Sequence, residues 1–212
     1  DGATDAGSAY LFRFNGSSWA FEDKLLADDS ASNRQFGWNV SLSGQTAVVS
    51  ARFHLSGRTV YTFDDAGGSW TFGQRLTVSE LVTGQSAVRH LGIDGHLIVV
   101  GTDEDNSNAS GAGSAFVFRR SAGTWSELTK LEATDAAVND HLGVSAAVGG
   151  NTAVLGAIFD DSGAGDAGSA YFFDLGCAAA CCFPDGSCEL LTEQDCDTAG
   201  GTYLGVGTTC GF

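Results

Sequence analysis

Four columns of residues recur along this chain in one shared register, and that repeat limits its fold more than any other feature. Trp19, Trp70 and Trp125 set two successive steps, and Leu25, Leu76 and Leu131 keep the same two. Tyr10, Tyr61 and Phe116 do so as well, with Tyr171 one step further on, and Phe12, Phe63, Phe118 and Phe173 run beside them. One unit reads GSAYLFRF (7–14), a turn NGSS, WAFEDKLLA (19–27), a polar stretch, FGWNVSLSG (36–44), QTAVVSA (45–51), then an acidic loop. Tyr10, Phe12 and Phe14 alternate with Leu11 and Arg13, and Val40 and Leu42 alternate with Asn39, Ser41 and Ser43, the period of a strand. Gly44-Gln45, Gly95-His96 and Gly150-Asn151 predict tight hairpins. The runs that follow them, Ala47–Val49, Ile98–Val100 and Ala153–Leu155, are continuously apolar, as strands buried on both faces are. No helical periodicity shows anywhere before the cysteine-rich tail. Four short strands in a repeat of roughly fifty residues is the signature of a propeller blade, so the expected fold is all-β, with four-stranded antiparallel blades.

Phe36-Gly37, the apolar hairpin after it, and Ser50-Ala51 ahead of an Asp-rich loop resemble the FG-GAP repeat. The likeness is to bacterial versions with a GSAYVF-type strand and a Trp-containing strand. The third unit keeps Leu142-Gly143 and Gly156-Ala157, whereas the second departs, with Ala87-Val88 and Gly101-Thr102. The resemblance covers about residues 1–176, in units at 1–51, 52–102, 103–157 and a partial 158–176. It implies the β-propeller of integrin α chains and many secreted bacterial proteins, with seven blades and calcium in the acidic loops. Three units plus one further GSAYFF strand (168–173) do not close such a ring. With the Trp strand counted first in each blade, the chain holds three whole blades and one spare N-terminal strand, a natural donor to a neighbouring molecule. Three arrangements meet this shortfall: a longer protein, several chains closing one ring, or blades stacked between subunits of a filament. Each keeps sheet edges and apolar faces from water.

The chain has 212 residues, 30 of them Gly, with a formal net charge of −16. At 43% hydrophobic residues it can build a core, so it is no disordered acidic tail. The acidic balance argues against nucleic acid, which needs clustered Lys and Arg. No apolar run approaches a membrane span, and the chain opens inside an Asp/Gly loop without a signal peptide, which reads as a mature or trimmed product.

The acidic loops DEDNSNASGAG (103–113) and DDSGAGDAG (160–168) present oxygens in Gly-permitted turns, which suits calcium. Asp103, Asp105, Asn106 and Asn108 are the candidates in one, and Asp160, Asp161 and Asp166 in the other. Neither matches a full D-x-D-x-D-G-x-x-D loop, and RFHLSGR (52–58) has no carboxylate, so solvated Asp-rich turns are the rival reading. No catalytic constellation stands out, and His54, His90, His96 and His141 lie far apart. The repeated Trp19, Trp70 and Trp125 read as packing between blades, and the unrepeated Trp38 as a surface contact. Asn15, Asn39 and Asn108 begin weak glycosylation sequons.

All six cysteines, Cys177, Cys181, Cys182, Cys188, Cys196 and Cys210, fall in the terminal segment 177–212. An even number at tight spacing predicts a disulfide-held module and an oxidising compartment. Thr192 with Asp195 could cap one helical turn there. Together these features describe a secreted, non-enzymatic structural protein that assembles with copies of itself through blade or strand complementation. A calcium-dependent adhesion domain for a protein or glycan ligand comes second, and an enzyme on a propeller scaffold third.

Overall fold

The computed structural model describes residues 3–52, 59–79, 88–175, 179–184, 187–191, 196 and 198–203. They form antiparallel sheets. β1 (Ala9–Phe14) and β2 (Trp19–Leu25) make a two-stranded sheet. β3 (Phe36–Ser43), β4 (Thr46–Ala51), β5 (Thr59–Asp65) and β6 (Trp70–Thr77) follow as a complete four-stranded blade. So do β7 (His90–Asp94), β8 (Leu97–Thr102), β9 (Ser114–Ser121) and β10 (Thr124–Leu131). β11 (Leu142–Gly149), β12 (Thr152–Ala157) and β13 (Ser169–Asp174) form three strands of another. In the cysteine-rich tail β14 (Ala179–Cys182) pairs with both β15 (Cys188–Leu191) and β16 (Thr202–Tyr203).

The blade's frame differs from the expected one. Each Trp strand is the last strand of its own sheet, paired with the GSAY strand before it, rather than the first strand of the next. Connection length explains this. The two strands are joined only by the short turns at 15–18, 66–69 and 122–123, so they close as local hairpins. The longer stretch after the Trp strand crosses to the following sheet. Three whole blades plus a spare strand therefore become two whole blades between a two-stranded sheet at one end and a three-stranded sheet at the other.

Neighbouring sheets stack through the alternating faces of their strands. Ala9 and Leu25 pack against Phe36, Ala47, Val49, Tyr61 and Phe63. Val48, Val60 and Leu76 meet Ile98, Val100, Phe116, Phe118 and Trp125. Leu97, Val99, Ala115, Val117 and Leu131 meet Leu142, Ala153 and Leu155, with Tyr171 and Phe173 beside them. At each junction an aliphatic face of one sheet receives the aromatic columns of the next. The sheets are also linked by backbone: Phe36 N–H donates to the Ala6 carbonyl (2.9 Å) and Leu142 N–H to the Ala112 carbonyl (2.8 Å). Gly7 and Gly113 sit at these links at φ +87° and +79°, where a Cβ would overlap the backbone of Phe36 or Leu142. The hairpin glycines Gly44, Gly95 and Gly150 take positive φ, as their turns require.

This frame explains the tryptophans. Trp125 is 3% exposed against the preceding blade, and Gln74 clasps its backbone by two hydrogen bonds of 2.7 and 2.9 Å. Trp70 is half-buried, its indole N–H directed at Glu22 (3.3 Å). Trp19 occupies the same place with no described sheet before it, and is 70% exposed. Trp125→Ala should therefore cost about 3–5 kcal/mol of stability and Trp19→Ala about 0.5 kcal/mol or less, read by urea unfolding at low protein concentration. Equal losses at the two positions would contradict this stacking.

Candidate functional site

The two incomplete sheets leave different surfaces. At the N-terminal end β1 has an unpaired edge among the described residues, and Tyr10, Phe12, Phe14, Trp19 and Phe21 are exposed. Val40 and Leu42 of β3 are exposed beside them. Between β1 and the β3–β4 hairpin lies an apolar cleft of about 370 Å³, lined by Tyr10, Phe12, Leu25, Val40, Leu42 and Val48 among others. At the C-terminal end β13 pairs with β12 alone among the described residues, and Phe172 is exposed.

A column of basic residues, one position before the repeated leucines, went unread in the sequence. Lys24, Arg75 and Lys130 are the cross-strand partners of Tyr10, Tyr61 and Phe116. Each cation lies over its ring, at 5.5, 5.9 and 5.6 Å from the centroid. Arg75 also reaches Asp28 (2.6 Å) and Asp29 (3.4 Å), while Lys130 reaches Asp105 (3.0 Å) and Glu132 (2.7 Å). The signal was the spacing these cations share with the aromatic columns, hidden because aligned Lys and Arg are ordinary on a strand surface.

The acidic loops prove to be two copies of one hydrogen-bonded turn, one repeat apart. Asp105 Oδ1 accepts from the Ser107 N–H (3.0 Å) and hydroxyl (2.6 Å), and Oδ2 from Ser114 (2.6 Å) and the Lys130 ammonium. Asp160 Oδ1 accepts from the Ser162 N–H (3.0 Å) and Ser169 hydroxyl (2.8 Å). Asn106 and Asp161 accept in matching fashion from the N–H of Gly111 and of Asp166. Asp103 pairs with Arg89 at 3.1 Å, and Asn108 is exposed. As arranged, protein donors engage the oxygens of Asp105, Asn106, Asp160 and Asp161, and in the first copy the Lys130 ammonium stands on the carboxylate. Among the described residues no three His, Cys, Asp or Glu side chains converge as a metal site requires.

The second copy differs in one respect. Among the described residues its sheet lacks the Trp strand, which is the strand that carries the cation in the first copy. The Tyr171 hydroxyl instead contacts both Asp160 Oδ2 (2.5 Å) and Asp135 Oδ1 (2.9 Å). One hydroxyl has one proton, so it satisfies a single carboxylate at a time. The Tyr171 hydroxyl and the loop donors hold Asp160 well below the usual carboxylate range, while burial and the two carboxylates push Tyr171 up. Two carboxylates thus share one phenol.

Among the other expected site residues, Asn15 and Asn108 lie on exposed turns, and Asn39 on β3 donates its amide to the Val88 carbonyl (3.1 Å). Trp38 is exposed, with Arg52 stacked 4.3 Å from its ring centroid. His90 opens β7, His96 lies in the β7–β8 turn, and His141 is 3.8 Å from Asp103. Cys181 and Cys196 form a disulfide. Cys182 and Cys188 are backbone partners in the β14–β15 ladder. His54, Cys177, Cys210 and the expected cap at Thr192–Asp195 lie outside the described residues.

The Asp105 network has a measurable pH signature. Burial alone would raise its pKa, but Ser107, Ser114 and Lys130 outweigh this and hold it at about 2. A depressed carboxylate contributes stability above its unfolded pKa and loses it as pH falls through the folded value. Asp105→Asn should cost on the order of 2 kcal/mol at neutral pH, with the gap to the parent closing between about pH 4 and pH 2. A pH series of urea unfolding reads it, and a gap that stays constant across that window would contradict the network.

The FG-GAP repeat family matches residues 19–63 and 125–173. These segments run from β2 to β5 and from β10 to β13, each crossing from the last strand of one sheet into the next. No curated protein matches the sequence. The blade β7–β10 lies mostly between the matched segments and has the same strand order. The chain therefore carries FG-GAP repeats, folded into antiparallel sheets of the propeller type.

Proposed function

We propose that this chain is a non-enzymatic structural protein of an extracellular assembly, which completes its blade stack with copies of itself in a ring or filament. FG-GAP repeats are of an extracellular adhesion or ligand-binding type, and the Cys181–Cys196 disulfide points to an oxidising setting. The observation that carries the assembly reading is the N-terminal face. Tyr10, Phe12 and Trp19 stand in the columns that are packed against a neighbouring sheet at the inner junctions, yet here they are exposed, with Phe21 exposed beside Phe12. A contiguous aromatic surface of this kind marks an interaction site rather than a solvated one. A partner sheet would supply the aliphatic face that the inner aromatics already have. The calcium-dependent adhesion reading draws less support, because the loop carboxylates are held by protein donors. Native mass spectrometry across nanomolar to micromolar concentration should show oligomers growing with concentration. Phe12→Ser with Phe21→Ser should weaken association by about tenfold or more while leaving the fold intact, since both side chains are exposed. A monodisperse monomer at high micromolar concentration would remove the proposal.

A further inference from the structure

The two open ends are complementary parts of one blade. Completing the N-terminal sheet requires the two strands that precede a GSAY strand, because β3–β4 and β7–β8 stand in that position in the whole blades. The cleft beside β1 and above β3–β4 is the space such a hairpin would fill. The C-terminal sheet offers that hairpin, β11–β12, and among the described residues lacks the fourth strand that β2 represents. The strand at the join is present twice: GSAYLF (7–12) leads into β1 and GSAYFF (168–173) leads into β13.

Charge decides the same pairing. Asp105 and Asp160 are equivalent by one step of the repeat, and the cation on Asp105 is Lys130, from the fourth strand. At Asp160 that strand is missing among the described residues, and Asp135 crowds the same tyrosine hydroxyl. Lys24 holds the column of Arg75 and Lys130 on β2.

We infer that the hairpin β11–β12 of a second copy docks beside β1, displaces its own β13, and completes a blade in the order β11, β12, β1, β2. This deepens the assembly reading above and rests on it. The exchange replaces one GSAY strand by another on β12, so the pairing lost is matched by a like pairing. The surplus comes from filling the cleft, pairing the β1 edge, and setting Lys24 near the second copy's Asp135 and Asp160. Each chain then gives twelve strands to three closed blades, with β13 released. The contact is heterologous, so it propagates as a ring or an open filament.

Cross-strand register supplies the test. Phe172 faces Val154 across β13 and β12, and Leu11 stands in the column of Phe172. Leu11→Cys with Val154→Cys should give a ladder of covalently linked multimers on oxidation, seen by non-reducing electrophoresis. Val154→Cys with Phe172→Cys should cross-link within one chain at dilution and restrict growth. Lys24→Glu should weaken association by about tenfold or more, and adding Asp135→Lys should restore it. Oligomers that form without the Leu11–Val154 cross-link would overturn the exchange and leave self-assembly standing. Oligomers that require added calcium and ignore Lys24→Glu would overturn it as well. Monomers throughout, as when a preceding segment of a longer chain fills the cleft, would remove both readings.

Discussion

The stacking of one sheet's aromatic columns on the aliphatic face of the sheet before it is the contact on which the rest of this structure depends. A single four-stranded sheet cannot bury both its faces, and β4, β8 and β9 are apolar on both. Each blade is therefore stable only between neighbours, as in other repeat architectures. The backbone links from Ala6 to Phe36 and from Ala112 to Leu142 fix the register of that stacking. The glycines at Gly7 and Gly113 follow from it, since only a residue without Cβ permits the approach.

The same dependence makes the ends of the stack informative. Tyr61 and Phe116 are fully buried where Tyr10 is more than half exposed, although all three hold one column. The difference lies in the neighbour and not in the residue. The cation column behaves alike: Arg75 and Lys130 are tied to carboxylates contributed by adjoining loops, and the C-terminal sheet, as described, keeps the carboxylates without the cation. Unmet needs at two ends of one chain, matched in shape and in charge, are what a head-to-tail contact would satisfy.

Much of this was legible in the sequence. The columns of Trp19 and Leu25 gave the repeat, and Gly44-Gln45 and its equivalents gave the hairpins. Trp70 and Trp125 pack between blades as the fixed spacing implied. The blade frame was not legible, because a repeat has no marked beginning and either frame fits the same period; turn length settles it, at 15–18 and 66–69. The acidic loops were ambiguous for a chemical reason. Asp followed two positions on by Ser, in a glycine-rich turn, suits a calcium loop and a self-bonded turn alike. The turn seen here is closed by Ser114, just past the loop, and by Lys130, from the fourth strand of the blade. The crowding of Asp135 and Asp160 on Tyr171 was likewise invisible, since it arises where the sheet has no described fourth strand.

The most direct test of this account is hydrogen–deuterium exchange followed by peptide across residues 9–14 and 97–102, at concentrations from nanomolar to high micromolar. Amides of β8, paired on both sides, should be protected at every concentration. Amides of the open edge of β1 should exchange quickly in dilute protein and become protected as concentration rises. Exchange in β1 that is fast at every concentration, or already slow in a dilute monomer, would contradict the claim that its edge awaits another strand.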